Sequence, residues 1–151
     1  MTNKHTSKSQ TMELLKKLFN TPNLEVFMEH NEQSMQIPPF STYITEICKE
    51  QGEIPEHIIT RSAIDRTYGH QLFNGTRKPS RDKVIQLAIG LRLDLSETQK
   101  LLRVAQKSTL YPKIKRDAAI IHCILHKQDI HETQTVLQAL GLTPLSKGER
   151  L

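Results

Sequence analysis

The chain has 151 residues, of which 36% are hydrophobic and 25% are charged, and it carries a formal net charge of +5. This length suits a single domain with an appendage. It contains no run of about 18 apolar residues and no leader with an apolar centre. We therefore expect no membrane span, no export and a cytoplasmic location.

The N-terminal part, residues 1–39, predicts a tail followed by a short helical extension. Residues 1–10 are polar and are expected to be disordered. The patterns of residues 11–19 and 23–28 predict two short helices, and two consecutive prolines end this part. The extension could pack on the rest of the chain, mask it or meet a protein partner.

Residues 40–110 predict a compact core of five helices. Apolar residues recur at helical spacing in each segment, beginning with Phe40, Ile44 and Ile47. The helices are expected at 40–51, at 55–62, at 66–74, after an N-cap at Ser80, and after a capping box formed by Asp94 and Glu97. The fold class is therefore predicted to be all-α.

The C-terminal part, residues 111–151, repeats the end of the core at an offset of 35 residues. Arg81-Asp82 recurs as Arg116-Asp117, and Glu97-Thr98-Gln99 recurs as Glu132-Thr133-Gln134. A repeat of the same cap chemistry predicts a second helical hairpin, with helices at about 113–127 and 130–140. We expect this hairpin to pack on the core.

The segment from Ala63 to Asp82 carries the strongest functional signal. Asp65 is suited to cap a helix, and Gly75 is suited to end it in the left-handed conformation. Polar side chains follow one side of that helix, while Leu72 and Phe73 can be buried on the other. A basic turn comes directly afterwards. A polar helix face with cations just beyond its end is what a reader of the DNA major groove needs.

The distribution of charge supports a polyanionic partner. Residues 61–116 contain 13 lysines and arginines against 4 acidic residues, whereas the segments on either side are slightly negative. The excess positive charge therefore coincides with the segment singled out above. An ordinary solvated basic surface is the alternative explanation.

The sequence N-G-T-R-K-P-S-R-D after a short polar helix resembles the lambda-repressor/Cro-like (XRE-type) helix-turn-helix family, over about residues 40–105. The resemblance implies a recognition helix at 66–74 and a bacterial or phage-type transcriptional regulator that binds double-stranded DNA. Such proteins usually bind as homodimers. The chain departs from the family pattern at Pro55, Ala63 and Gly69. We interpret Gly69 as a tolerated weak position, since a glycine inside a helix costs about 1 kcal/mol relative to alanine. The alternative is that Gly69 lets the helix approach another element closely.

Two sets of contact residues follow from this interpretation. Residues expected to read base edges are Arg66, Thr67, Tyr68, His70 and Gln71. Residues expected to bind phosphates are Asn74, Thr76, Arg77, Lys78, Ser80 and Arg81. The first turn of the helix after Ser80 would add backbone N–H donors. For Tyr68 the alternative is a packed ring with only its hydroxyl exposed, and for Arg77 and Lys78 it is loop solubility.

Other kinds of function have little support in the sequence. His122, His126 and His131 are spaced as metal ligands can be, but the pattern is weak and we predict neither a metal site nor a cofactor. Cys48 and Cys123 are expected to be buried thiols. No catalytic motif is present, so an enzyme is not expected. The alternative function is that of a protein-interaction adaptor, which would use the N-terminal helices or the C-terminal hairpin.

Overall fold

A computed structural model describes residues 4–146 of the chain, with side chains from residue 10 onward. Within this range the protein is all-α, as predicted: it contains nine α-helices, one 3-10 turn and no strand. The α-helices are α1 Lys4–Phe19, α2 Leu24–His30, α3 Phe40–Glu50, α4 Pro55–Arg61, α5 Arg66–Asn74, α6 Arg81–Gly90, α7 Leu95–Val104, α8 Lys115–Leu125 and α9 Ile130–Ala139. The 3-10 turn is Gln33–Met35.

The chain divides into two compact units between Ile37 and Pro38. The first unit contains α1 and α2, and the side chain of Asn23 caps α2 by accepting from the backbone N–H of Val26. The prediction of disorder over residues 1–10 is wrong from Lys4 onward, because α1 already begins there. Extending an existing helix costs far less than nucleating one, and no glycine or proline interrupts the segment. Residues 1–3 lie outside the described range.

The second unit contains α3 to α9, which share one aliphatic core. Each of its seven helices contributes a fully buried member of this core: Ile44, Ile58, Leu72, Leu87, Leu101, Ile120 and Leu137. The predicted helix ends are present. Asp65, Ser80 and Asp94 each accept a hydrogen bond from a backbone N–H of the helix that follows, and Glu97 completes the capping box. Local sequence chemistry therefore sets the boundaries of α5, α6 and α7.

Gly69 allows α5 to lie close against α4. A Cβ atom at this position would lie 2.5 to 2.9 Å from three side-chain carbons of Ile59, which is itself buried. Any larger residue would force the two helices apart or displace Ile59 from the core. The interpretation of Gly69 as a tolerated weak position is therefore wrong, because the absent side chain is what permits the contact.

The hairpins α6–α7 and α8–α9 are joined by reciprocal ion pairs. The Arg81 guanidinium donates two hydrogen bonds to the carboxylate of Asp117, at 3.1 and 2.8 Å. The Arg116 guanidinium donates two to Asp82, at 3.0 and 2.9 Å. Each hairpin thus supplies the arginine for one pair and the aspartate for the other. The interface is isologous, with each hairpin using the same residues toward the other.

The same hydrogen bonds also recur inside each hairpin. The side chain of Gln99 donates to the carbonyl and accepts from the N–H of Leu110, and Gln134 does the same with Leu145. Both pairs are related by the 35-residue offset seen in the sequence. The expected second hairpin is present and belongs to the same compact unit as the core.

Candidate nucleic-acid interface

Helix α5 has two sharply different faces. Tyr68, Gly69, Leu72 and Phe73 are buried against the core. The polar residues lie between these positions and are exposed or half-buried at the surface: Arg66, Thr67, His70, Gln71 and Asn74. Because these residues are spaced one helical turn or one position apart, they share a single face. Four of the five predicted base-reading residues, all except Tyr68, therefore lie on an exposed helix surface.

The basic turn is connected to the end of α5 by hydrogen bonds. Gly75 adopts φ 84°, the left-handed conformation expected at this position. The Asn74 side-chain oxygen accepts from the backbone N–H of Thr76 at 2.9 Å and also from the Thr76 hydroxyl. The N–H of Arg77 donates back to the carbonyl of Gln71 at 3.2 Å. The cations after α5 are therefore held close to its last turn.

Tyr68 is buried, with 8% of its surface exposed. The guanidinium carbon of Arg77 lies 4.6 Å from the centre of its ring, a cation–π distance. A buried ring cannot reach a base edge, so Tyr68 serves to pack the core and support Arg77. Lys78, the next residue, is exposed. For the Tyr68 ring, the alternative of a packed position is therefore a better description than a base contact.

The start of α6 contains two of the predicted phosphate contacts, Ser80 and Arg81. The Ser80 hydroxyl oxygen accepts from the N–H of Lys83 at 3.3 Å and caps the helix. Arg81 donates to both oxygens of Asp117 and to the carbonyls of Ser108 and Thr109. Its guanidinium is thus committed to the interface between the hairpins. We therefore assign Arg81 to that interface and not to phosphate binding.

Glu56 is the residue of this surface that sequence reasoning missed. It lies in the first turn of α4, and its carboxylate accepts from Arg66 Nε at 3.0 Å and from His70 Nε2 at 2.6 Å. The hydrogen bond from His70, aided by the charge of Arg66, lowers the pKa of Glu56 against the opposing effect of desolvation. An ionised carboxylate therefore lies among the predicted base-reading residues. No spacing in the sequence indicates this contact, because it depends on how α4 packs on α5.

The histidines of the second hairpin do not form a cluster with other ligands. The rings of His122 and His126 lie 4.0 Å apart, and His126 Nδ1 donates to the carbonyl of His122 at 2.9 Å. Among the side chains that the structure describes, no three of the metal-binding types come close enough to hold an ion. Across residues 4–146, no helix combines the length and apolar character needed to cross a membrane.

Both cysteines are buried and unpaired by disulfide, as expected. Burial raises the pKa of the Cys48 and Cys123 thiols, which keeps them protonated at neutral pH. Both side chains are buried among the hydrophobic residues of the protein.

Comparisons with models of known protein families, with curated proteins and with solved structures found no match for this chain.

Proposed function

We propose that this protein binds double-stranded DNA in a sequence-specific manner and regulates transcription. The observation that carries the proposal is the exposed polar face of α5, backed by a buried apolar face and continued by a basic turn. An α-helix fits the major groove of B-form DNA, where each base pair offers a distinct pattern of donors and acceptors. The resemblance to the XRE-type family supports the same function.

The burial of Tyr68 and the ion pair of Arg81 with Asp117 support smaller sets of proposed contact residues. For base edges the candidates are Arg66, Thr67, His70 and Gln71, all at the surface of α5. Arginine pairs well with guanine and glutamine with adenine. Phosphate contacts are assigned to Asn74, Thr76, Arg77, Lys78 and Ser80, which follow one another along the end of α5 and the basic turn. Contacts of this second kind supply most of the affinity and little of the sequence choice.

A single helix of this kind reads only a few base pairs. Regulators of this type therefore usually bind as dimers on half-sites about 34 Å apart. We infer the same arrangement here, in the cytoplasm of a bacterium or of a phage-infected cell.

One observation favours a second candidate, the protein-interaction adaptor. Glu56 adds a negative charge to the α5 surface and pairs with two of the proposed base contacts. A carboxylate repels DNA phosphates, whereas it is common where a protein meets a basic protein partner. The same face of α5 would then bind another protein.

Binding to random duplex DNA at increasing salt separates the two functions. For a DNA-binding protein the logarithm of the association constant should fall linearly with the logarithm of salt concentration, with a slope of about −0.9 per phosphate contacted. Weak binding that does not change with salt would instead support the adaptor. Selection of bound fragments from a random duplex library would then identify the preferred site.

Two substitutions test the assignment of roles. Gln71→Ala should relax the preference at one base position of the selected site, whereas Lys78→Ala should weaken binding to all sequences alike. If both variants lost affinity uniformly, α5 would not be reading bases.

A further inference from the structure

Glu56 of α4 forms an ion-pair cluster with the exposed face of α5. Its carboxylate holds two residues of α5, Arg66 and His70, which are separated by one helical turn on the exposed face. The side chains of Glu56 and His70 are 41% and 43% exposed, and that of Arg66 is 78% exposed. The cluster therefore lies at the surface, in the middle of the residues assigned to base contacts.

A nearby cluster of the same composition shows what a structural role looks like. Glu53 pairs with Arg61 at 3.1 Å and with His57 at 3.4 Å. Arg61 also donates to the carbonyl of Gly90, which ties α4 to the end of α6. Ion pairs as exposed as those of Glu56 contribute little to folding. The Glu56 cluster therefore calls for an explanation other than stability.

We propose that Glu56 is a positioning residue that sets the sequence discrimination of the α5 face, a role that rests on the proposed DNA-binding function. Its carboxylate fixes the direction of the Arg66 guanidinium and the His70 ring. Side chains held in this way lose less conformational freedom when they meet the correct base edges. On DNA that lacks those bases, the ion pairs with Glu56 keep Arg66 and His70 from turning toward phosphates.

The charge of Glu56 acts in the same direction. A carboxylate at the groove surface repels phosphates on every duplex, so it weakens binding to random sequence. On the preferred site this repulsion is offset by correctly directed hydrogen bonds from Arg66 and His70. Specificity is a difference between two affinities, and an element that penalises the wrong partner increases it.

The test compares wild-type protein with Glu56→Gln on the selected site and on random duplex, at one salt concentration. The substitution preserves the shape of the side chain and removes its charge. We expect affinity for random duplex to rise, and the ratio of specific to random affinity to fall by about tenfold, an effect of the size of one mismatched base pair. Glu53→Gln is the matched control, since it changes the net charge equally and also removes an Arg/His partner. It should leave the ratio unchanged.

A double variant tests whether Glu56 acts through Arg66. In a protein that already carries Arg66→Gln, the additional change Glu56→Gln should alter the ratio less than it does in the wild-type background. The unfolding midpoint of each variant is measured by circular dichroism, and a merely structural role would change that midpoint without changing the ratio.

The outcomes for Glu56 and for the proposed function are distinct. If wild-type protein binds DNA with the expected salt dependence but Glu56→Gln keeps the wild-type ratio, or Glu53→Gln lowers it as much, the role of Glu56 is refuted and DNA binding is retained. If wild-type protein shows no salt-dependent binding to duplex, both proposals are refuted.

Discussion

The two helical hairpins of the second unit share a framework but differ in what precedes them. In both, a glutamine side chain hydrogen-bonds to the backbone of a leucine that follows the second helix. In both, the first helix also supplies an arginine and an aspartate to the ion pairs across the interface. The first hairpin follows α5 and its basic turn, whereas the second follows an exposed connection at residues 111–114. The shared contacts are therefore structural, and the functional surface is expected where the two hairpins differ.

A second difference concerns the faces of the first helix in each hairpin. Leu87 and Leu91 of the first hairpin are buried, while the matching residues of the second, His122 and His126, are exposed. The first hairpin uses this face in the core that it shares with α3, α4 and α5. The second hairpin leaves the same face at the surface. One repeat has thus become part of the domain core, and the other remains at its edge.

The largest effect is expected from breaking the reciprocal ion pairs. Asp117 is 2% exposed and accepts from Arg81 and from the N–H of Tyr111, whereas Asp82 is 24% exposed. Asp117→Ala leaves the Arg81 charge without its partner in a largely buried site and should lower the free energy of unfolding by about 3–5 kcal/mol. Asp82→Ala should cost less, because the carboxylate that it removes is already partly solvated, whereas that of Asp117 is buried. Urea unfolding of both variants measures the difference, and equal losses would show that burial does not distinguish the two pairs.

A smaller effect tests the equivalence of the two hairpins. Gln99→Ala and Gln134→Ala each remove a donor and an acceptor from the backbone of a buried leucine, Leu110 or Leu145. Leaving such groups unsatisfied should cost about 1–3 kcal/mol in each case. Urea unfolding should give the same loss for both variants within experimental error. A clearly larger loss for either one would mean that the hairpins share geometry without sharing energetics.

The next comparison concerns DNA. Lys78 and Lys113 occupy matching positions, three residues before Arg81 and Arg116, and both are exposed. Only Lys78 lies in the basic turn after α5, the helix proposed to read bases. Lys78→Gln should therefore reduce the salt-dependence slope by about one, as expected for the loss of a single phosphate contact. Lys113→Gln should leave the slope unchanged. A reduction with both variants would extend the DNA-binding surface to the connection between the hairpins.

The smallest effect is expected when a residue of the second hairpin is replaced by the one at the matching position of the first. Cys123 is fully buried at the position that Ala88 occupies in the first hairpin. Cys123→Ala should lower the free energy of unfolding by about 1 kcal/mol or less, because only one sulfur atom is removed and the matching site already accepts alanine. Chemical denaturation under reducing conditions checks this value. A loss as large as that of Asp117→Ala would show that the thiol has a specific role in the core.

The sequence predicted the features that depend on local chemistry. The caps at Asp65, Ser80 and Asp94 and the left-handed Gly75 each need only a few neighbouring residues, and all are present. The second hairpin was also predictable, because its cap residues repeat those of the first at a fixed offset.

Features that depend on the packing of separate helices were not predicted. The contact of Glu56 with α5 is one of these. The close approach at Gly69 was open only as the second of two interpretations, because the sequence does not show which residue faces this glycine. Arg81 was assigned to phosphate although a signal for its true partner existed. An Arg-Asp pair that recurs in two related hairpins can satisfy its charges by pairing each arginine with the other hairpin's aspartate.

The reciprocal ion pairs also bear on how the protein behaves when concentrated. The second hairpin of one molecule could dock on the first hairpin of another with both reciprocal ion pairs preserved, while the path of the connection at 111–114 would change. Such an exchange creates intertwined dimers without any new interface. A shortened connection could no longer fold back within one molecule. The protein should then form a swapped dimer, in which each second hairpin docks on the first hairpin of the other copy.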